Sequence, residues 1–394
     1  MAVTPKIDTA QRRARLVHRH RLAAARRTDD VVRIADDVAA LHASDPVTVY
    51  LSATARMRSP RLAAVDDALY TDRTLLRHHA MRRTLWVLGR EAARVAHHAA
   101  TRDVARVQRR QILAQVASGG IADPEAWVAG AAERITAELV AAGPLTAREI
   151  GRRLPELAVP LTLGSGSSTA KQGAHSRVLL LMGFEGRVLR ARPTGSWING
   201  QYRWAAAEAW VDGGLGEPLA PAVAAARLAR AYLRAFGPAT RADLQWWAGW
   251  TVATTAAALA AAGAAEVDME EGTGYVLPDD LDPVPEHEPS VALLPGLDPA
   301  TMGWKLRGFH LDPAHAGEMF DRNGNGGPAV WVDGRIAGGW VQRRDGTIAV
   351  RMLADVGAQR RAMVDEAAHA LETLLGDVRF TVRFPAPMQA RLLA

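Results

Sequence analysis

The sequence contains no cysteine among its 394 residues. Disulfides, zinc fingers and cysteine nucleophiles are therefore excluded. It also has no apolar run long enough to span a bilayer, and its first residues lack the apolar segment of a signal peptide, so we expect a cytoplasmic protein. The HExxH, Walker, GxSxG and dinucleotide-binding motifs are all missing. We therefore expect neither a metal nor a cofactor.

The charge of the chain favours a polyanionic partner. Lysine and arginine together number 48 against 42 acidic residues, which gives a net charge of +6 and a pI near 10.1. Such a balance is typical of proteins that bind DNA, although many basic proteins do not. With 48% hydrophobic residues, the chain can bury substantial cores and should divide into two to four domains.

An internal repeat indicates how those domains are built. Residues 143–154 read GPLTAREIGRRL and residues 237–248 read GPATRADLQWWA. In each copy Gly-Pro ends one helix, and Thr146 or Thr240 can cap the next. An acidic residue three positions after each threonine completes a capping box. Each copy therefore predicts a helix, a tight turn and a second helix, and a third helix and two strands follow.

The N-terminal part shows the same order of helices and strands. We therefore predict a mainly α protein with small sheets (α+β), made of three tandem winged helix-turn-helix units and a C-terminal α/β barrel-like domain. The predicted units are residues 1–118 with a connector helix over 90–117, 119–212, 213–284 and 285–394.

The segment Leu41-His42-Ala43-Ser44-Asp45-Pro46 marks the end of one helix and the start of another. An aspartate followed by proline is a helix-start signature, because the carboxylate accepts from a free backbone N–H. His42 and Ser44 then lie at a helix junction, where a rigid backbone can direct both side chains to one point. From the residues alone, both could equally serve as helix caps.

Three stretches carry a resemblance that covers most of the chain. VAALHASDP, MRRTLWVLGR and LLPGLDPATMGWKLR resemble the bacterial winged-helix DNA glycosylases of the AlkZ and YcaQ type. In that family the helix junction that corresponds to residues 42–44, here called the corner, reads Gln-apolar-Gln or Gln-apolar-Asp. Its two polar residues hold the attacking water. This chain has His42 and Ser44 there. The second stretch usually reads Arg-Gly-Thr-Leu-His in the family, so Arg83 replaces a glycine and Trp86 a histidine.

The resemblance implies a monofunctional DNA glycosylase that hydrolyses the N-glycosidic bond of N7-alkylated guanine. Bulky natural-product adducts or crosslinks are candidate lesions, with self-resistance to a genotoxin as a candidate role. On this reading unprotonated His42 takes or orients the water's proton, Ser44 holds the other side of the water, and Asp45 can stabilise the sugar cation. Activity should then rise as the pH climbs through the histidine pKa. The alternative is a winged-helix DNA-binding protein without catalysis, either a regulator or a lesion sensor.

The expected partner is double-stranded DNA carrying alkylated guanine. We expect a nucleoid-associated monomer with no obligate protein partner. For the arginines of the first helix a plain solvated face is as good an interpretation as phosphate contact, and the Gly/Ser-rich loop 163–175 could simply face solvent. The candidate DNA-binding residues are Arg12, Arg19, Arg27, Arg82, Arg83, Lys171, Arg307 and Arg343.

Other patterns give structural expectations. Asp298 and Arg307 are predicted to form an ion pair, and the adjacent pairs His78-His79 and His97-His98 to lie at or near the surface. Most tryptophans of the third unit should be core, although one exposed ring could stack on a base. Near the C-terminus we predict a helix over 358–375 and a final strand over 378–384.

Overall fold

The first unit of the computed structural model, which describes residues 4–163 and 170–394, has the element order of a winged helix. After the N-terminal helix come three helices, one short strand and a hairpin, and then two helices joined end to end through a π-helical turn at 97–101. Their bounds are α1 Thr9–Arg19, α2 Val31–Asp37, β1 Leu41–His42, α3 Pro46–Thr54, α4 Leu62–Asp66, β2 Leu75–His79, β3 Leu85–Gly89, α5 Arg90–Ala96 and α6 Arg102–Ser118.

The predicted helix junction contains a strand. Helix α2 begins after Asp30, whose carboxylate accepts from Arg33 N–H, and α3 begins after Asp45. Between them β1 pairs antiparallel with β3, and the sheet order is β1-β3-β2. The chain therefore reaches the corner in extended conformation, and this pairing fixes the direction of the His42 side chain.

The second unit repeats this order around its own core. The capping box of Thr146 and Glu149 opens its second helix as predicted. A hairpin precedes its third helix, so residues 170–173 of the predicted loop are a strand, while 164–169 lie outside the described residues. The bounds are α7 Pro124–Ala142, α8 Ala147–Arg153, β4 Pro160–Leu163, β5 Ala170–Gly173, α9 Ala174–Phe184, β6 Val188–Pro193, β7 Tyr202–Ala206 and α10 Ala207–Trp210.

The third unit has the same order without the extra hairpin. Its second helix opens with the capping box of Thr240 and Asp243, also as predicted. The bounds are α11 Pro221–Phe236, α12 Arg241–Ala248, α13 Val252–Ala261, β8 Ala265–Met269 and β9 Gly272–Val276.

The C-terminal part is built on one antiparallel sheet with strand order β10-β11-β12-β13. Asp333 and Gly334 form the predicted β11–β12 turn, both with positive φ. The outer strands do not pair with each other in the described chain, so the sheet is open where we expected barrel-like closure. The bounds are β10 Val291–Leu294, α14 Pro299–Met302, α15 Ala316–Met319, β11 Ala329–Val332, β12 Arg335–Gln342, β13 Ile348–Met352, α16 Gly357–Leu375 and α17 Pro387–Leu393.

The apolar cores do not follow the predicted unit boundaries. One core combines most of the second unit with Ile112 and Val116 of α6, which belong to the predicted first unit. The largest core runs from Leu16 to Met388 and joins the first and third units to the C-terminal sheet and to the β6–β7 hairpin of the second unit. The mainly α fold with small sheets is confirmed, whereas the four unit boundaries remain a prediction.

Two local predictions were wrong. Residues 378–384 form no strand, and helix α17 follows them instead. The histidine pairs are not at the surface, because His78, His79 and His97 are all buried. His78 and His97, one from each pair, meet at 3.3 Å between ring nitrogens. None of the helices in the described ranges is long and apolar enough to cross a membrane.

Candidate active site

His42 occupies the short strand between the first two helices of the winged unit. It lies directly opposite Trp86 in the β1–β3 ladder, and the two ring centroids are 4.8 Å apart, edge to face. His42, which departs from the Gln-apolar-Gln pattern, and Trp86, which departs from the Arg-Gly-Thr-Leu-His pattern, are therefore cross-strand neighbours. The large indole fills the space next to the imidazole and supports it.

The His42 ring is neutral over the ordinary pH range. Burial, with a smaller contribution from the nearby Arg82 cation, lowers the pKa of His42 to about 3. Its Nδ1 accepts a hydrogen bond from the backbone N–H of Ser44 at 3.4 Å. A neutral imidazole that accepts at Nδ1 carries its proton on Nε2. Nε2 has no hydrogen-bond partner in the described chain, so it is the donor that remains for a ligand.

His42 and Ser44 line the same pocket, which has a volume of about 310 Å³. Arg82 and Thr84 from the β2–β3 wing and Trp246 from α12 form further parts of its wall. The C-terminal part contributes the rest, so the pocket lies where the first unit, the third unit and the C-terminal part meet. Its C-terminal lining residues are Leu297, Met302, Lys305, Arg307, Asn323, Gly324, Asn325 and Phe384.

Two arginines pack near one tryptophan in this pocket. The guanidinium carbons of Arg82 and Arg307 lie 4.2 and 5.5 Å from the centre of the Trp246 ring. In both, the Nε atom is buried without a hydrogen-bond partner in the described chain. Burial and the neighbouring Arg82 lower the pKa of Arg307 to about 10. Two partly desolvated cations therefore face the pocket with no carboxylate paired to them.

The wing that carries Arg82 is held in a strained conformation. Arg82 and Arg83 have φ angles of 54° and 62°, a region that residues with a Cβ seldom adopt. Position 83 is where the resembling family has glycine, the residue best suited to such angles. Strain of this kind is found at functional sites more often than elsewhere.

Asp45 does not reach this pocket. One of its carboxylate oxygens caps α3 by accepting from Val47 N–H at 3.1 Å, and the other accepts from Arg383 N–H at 3.4 Å. It lies instead on the wall of a second, larger groove of about 870 Å³. The predicted catalytic role of Asp45 therefore has no geometric support, because the carboxylate is directed away from His42 and Ser44.

Asp298 pairs with Arg56 rather than with Arg307, so the predicted ion pair was wrong. Arg56, in the turn just after α3, donates to both carboxylate oxygens at 2.8 and 2.9 Å, and Ser52 on α3 donates to one of them at 2.6 Å. The Arg56 and Asp298 side chains are completely buried. This cluster fixes α3, and with it the corner, to the C-terminal part, and it leaves Arg307 free for the pocket.

The comparisons with known proteins give the family. The family described as "DNA glycosylase AlkZ-like" matches residues 35–374, most of the chain. The chain belongs to this family of DNA glycosylases. The solved structure of Streptomyces sahachiroi DNA glycosylase AlkZ aligns over 97% of this chain and 99% of its own, with a TM-score of 0.72 and 20% identity. That likeness shows the fold, and no curated protein sequence matches the chain.

Family membership makes DNA the substrate, so the predicted DNA contacts can be compared with the structure. Arg12 and Arg19 are directed inward, where they pair with Glu271 and Asp280. Arg27 is half-buried beside α3 and the C-terminal sheet. Arg12 and Arg19 are therefore structural rather than available to phosphate, whereas Arg27 forms no ion pair in the described chain and stays a predicted contact. Burial of long basic side chains cannot be read from their spacing, which had suggested a solvated helix face.

The other predicted contacts remain available. Arg83, Lys171 and Arg343 are exposed, and Arg82 and Arg307 line the pocket. They lie in different places: Arg83 on the wing, Lys171 on the hairpin of the second unit and Arg343 on the second groove. Only Arg82 and Arg307 are brought together with His42 and Ser44.

Sequence reasoning missed several residues of the pocket, among them Trp246, Lys305 and Asn325. Trp246 had been counted with the core tryptophans, and Lys305 and Asn325 were not singled out. The segment MGWKLR did attract attention for Trp304 and Arg307, so adjacency was a usable signal for Lys305. Asn325 belongs to the turn 321–326, and no local pattern places that turn beside α12. In the described ranges no group of three or more His, Asp or Glu side chains could hold a metal ion.

Proposed function

We propose that the pocket lined by His42 and Ser44 hydrolyses the N-glycosidic bond of N7-alkylated guanine in double-stranded DNA. The observation that carries the proposal is the convergence of these two side chains on one pocket of about 310 Å³ in a DNA glycosylase fold. Its volume is at the lower end of the range of ligand pockets, roughly 300–1,000 Å³.

Hydrolysis of this glycosidic bond requires few catalytic groups. Guanine alkylated at N7 carries a positive charge, so the base departs without being protonated and the sugar becomes an oxocarbenium ion. What is needed is a positioned water that attacks C1′ and then releases a proton to solvent. A neutral histidine and a hydroxyl can hold that water without adding positive charge.

The tautomer assigns their roles. Because Nδ1 accepts from Ser44 N–H, Nε2–H donates to the water oxygen, and the Ser44 hydroxyl accepts one of the water's protons. An imidazole whose pKa is lowered to about 3 orients the water rather than deprotonating it. The rise in activity expected near the usual histidine pKa therefore moves to about pH 3, and the excision step should be flat from pH 5 to 8.

The enzyme would be monofunctional, with water as nucleophile. Lys305 carries the one primary amine among the described residues that line the pocket, so it is the group that could form a Schiff base with the sugar instead. Borohydride added during excision should trap no covalent complex. A trapped complex that is lost in Lys305→Met would show a lyase mechanism and overturn this part of the proposal.

The flanking DNA would lie along the second groove and the wing. Arg343, Arg344, Arg379 and Arg383 line that groove, and all four are exposed. Groove and pocket are contiguous in sequence at two points, Ser44-Asp45 and Arg383-Phe384. The size of the groove leaves room for a bulky adduct or crosslink next to the lesion, as expected for a role in genotoxin self-resistance.

The decisive experiment is single-turnover excision from a duplex carrying one N7-methylguanine or one bulky N7-guanine adduct. His42→Ala should lower the rate by about 100-fold, within the range of a positioned catalytic group. His42→Gln, which restores the residue of the family pattern, should keep most of the rate. His369→Ala, at an exposed helical position, is the matched control and should leave the rate unchanged.

Two outcomes would contradict the proposal. An unchanged rate in both His42→Ala and Ser44→Ala would move the chemistry to another site. Tight binding by the wild-type protein without release of either base would favour a DNA-binding protein that does not cleave. That second candidate has one observation in its favour, because the described pocket wall contains three cations and no carboxylate.

A further inference from the structure

The described wall of the pocket carries only positive charge. Arg82, Lys305 and Arg307 line it, His42 is neutral, and no aspartate or glutamate is among the lining residues. Neither arginine has an ion-pair or hydrogen-bond partner for its guanidinium in the described chain, and each has a buried Nε without a partner. Cations left unpaired in a half-desolvated position destabilise the free protein and favour a bound anion.

The nearest carboxylates are already occupied. The two oxygens of Asp243 accept from the Lys305 and Leu306 N–H groups and from Thr240. Asp321 accepts from the backbone of the turn beside the pocket and from the Asn325 side chain at 2.9 Å. Neither carboxylate lines the pocket or forms an ion pair with the two arginines in the described chain. Asp243 acts on Arg307 only at a distance, where it raises the pKa of Arg307 against the larger effect of burial.

This charge distribution opposes the reaction just proposed. The alkylated base and the oxocarbenium ion are both cationic, and like charges a few ångströms apart repel by several kcal/mol in a partly desolvated site. Most stabilisation in such sites comes from groups of opposite charge. Here the protein supplies none, so the missing negative charge must arrive with the substrate.

We propose that a DNA phosphate flanking the lesion binds between Arg82, Arg307 and Lys305 and supplies that negative charge. The inference rests on the proposed function and extends it, since the substrate's own phosphodiester becomes the anion next to C1′. Arg82 packs over Trp246 and Arg307 packs over Phe320 and Trp246, so aromatic rings hold both guanidinium groups in place. A guanidinium can bind phosphate through two parallel hydrogen bonds.

The phosphate takes no covalent part. The C1′–N9 bond breaks with its electron pair going to the base, the water oxygen forms the new bond to C1′, and the water's proton leaves to solvent. The phosphodiester stays intact and singly negative throughout. Its contribution is electrostatic, because it lowers the energy of the oxocarbenium ion and screens that ion from the two guanidinium groups.

The test uses duplexes in which one phosphodiester next to N7-methylguanine is replaced by a neutral methylphosphonate, first on the 5′ side and then on the 3′ side. At one of these positions the wild-type single-turnover rate should fall by about 10- to 100-fold, the range for one hydrogen bond to a charged group. In Arg307→Gln the ordinary duplex should show a similar loss, and the methylphosphonate should add little to it.

Arg361→Gln is the matched control. Arg361 is an exposed arginine on α16 that pairs with Asp365, so the substitution removes the same charge outside the pocket. This variant should respond to the methylphosphonate as the wild type does. Thermal midpoints measured in parallel separate a loss of contact from a loss of folding.

Equal rates on methylphosphonate and ordinary duplexes in an active wild-type enzyme would overturn the inference and leave the proposed function intact. The inference would also be overturned if the rate losses from the methylphosphonate and from Arg307→Gln multiplied, because the two changes would then act independently. If no base is released from any duplex, the proposed function fails instead. The phosphate contact is then tested by measuring binding to a duplex that carries a stable abasic analogue. If the contact exists, the methylphosphonate should weaken binding by the wild-type protein but not by Arg307→Gln.

Discussion

The three predicted units differ at one equivalent place, the short extended segment before the second helix. In the second and third units Leu145 and Ala239 occupy it, each forming one isolated bridge to the hairpin of its own unit. A threonine follows at once and caps the next helix. In the first unit the extended segment ends in His42, and the cap, Asp45, comes three residues later.

The two additional residues, Ala43 and Ser44, are the difference between the first unit and the equivalent segments of the other two units. In the other units an apolar side chain completes the local core, and the backbone turns directly into the helix. In the first unit the longer connection lets Ala43 enter the core while Ser44 faces the pocket beside His42. The proposed active site therefore differs from the equivalent places in the other units by a two-residue insertion, not by a different fold.

The largest expected difference between the units is their sensitivity to acid. Burial lowers the pKa of His20, His42 and His79 to about 3 and of His97 to about 4. Between pH 6.5 and these pKa values the unfolded chain therefore binds more protons than the folded chain does. Stability should fall as the pH falls through that window, by about 1.4 kcal/mol per pH unit for each such histidine.

The third unit, residues 213–284, contains no histidine. Hydrogen exchange at pH 7 and pH 5 should therefore show that first-unit peptides lose protection before third-unit peptides. Urea titrations over the same range give the change in unfolding free energy. Uniform loss of protection, or stability independent of pH between 6.5 and 5, would contradict the assignment, since few carboxylates titrate in that range.

Next in size is the anchoring of α3, the helix that follows the catalytic corner. Asp298→Ala should cost about 3–5 kcal/mol of unfolding free energy, because it leaves the completely buried Arg56 without its partner. The corner should move with the helix, so excision should also fall. Chemical denaturation and single-turnover rates measure the two effects.

Asp103→Ala is the control for that prediction. Asp103 pairs with Arg106 on α6, and both side chains are largely exposed, so its loss should change stability by less than about 1 kcal/mol. A loss from Asp298→Ala as small as that from Asp103→Ala would show that the buried pair does not anchor the helix.

The smallest effects should come from the three helix caps. Asp45→Ala, Thr146→Ala and Thr240→Ala should each cost about 1 kcal/mol of stability, since each removes a side-chain acceptor from a helix start. Excision should change little in all three. A large loss of excision in Asp45→Ala alone would show that this carboxylate has a catalytic role and is not only a helix cap like Thr146 and Thr240.

The sequence was informative wherever the signal was local. The capping boxes of Thr146 and Thr240, the Asp-Pro start of α3 and the Asp-Gly turn at 333–334 depend on residues within four positions of one another, so their patterns are visible in the chain. The repeat gave the order of the helices, and the corner gave His42 and Ser44. Local chemistry of this kind fixes each element whatever packs against it.

Tertiary structure decided every pairing between distant residues. His42 packs against Trp86, and Asp298 forms its ion pair with Arg56 instead of Arg307. Asp45 lines the second groove, and Arg12 is buried. Tertiary structure also brought Trp246, Lys305 and Arg307 to the same pocket as His42. The reason is physical: a charged or aromatic side chain takes whichever partner the packed cores leave within reach, and that partner was tens to hundreds of residues away.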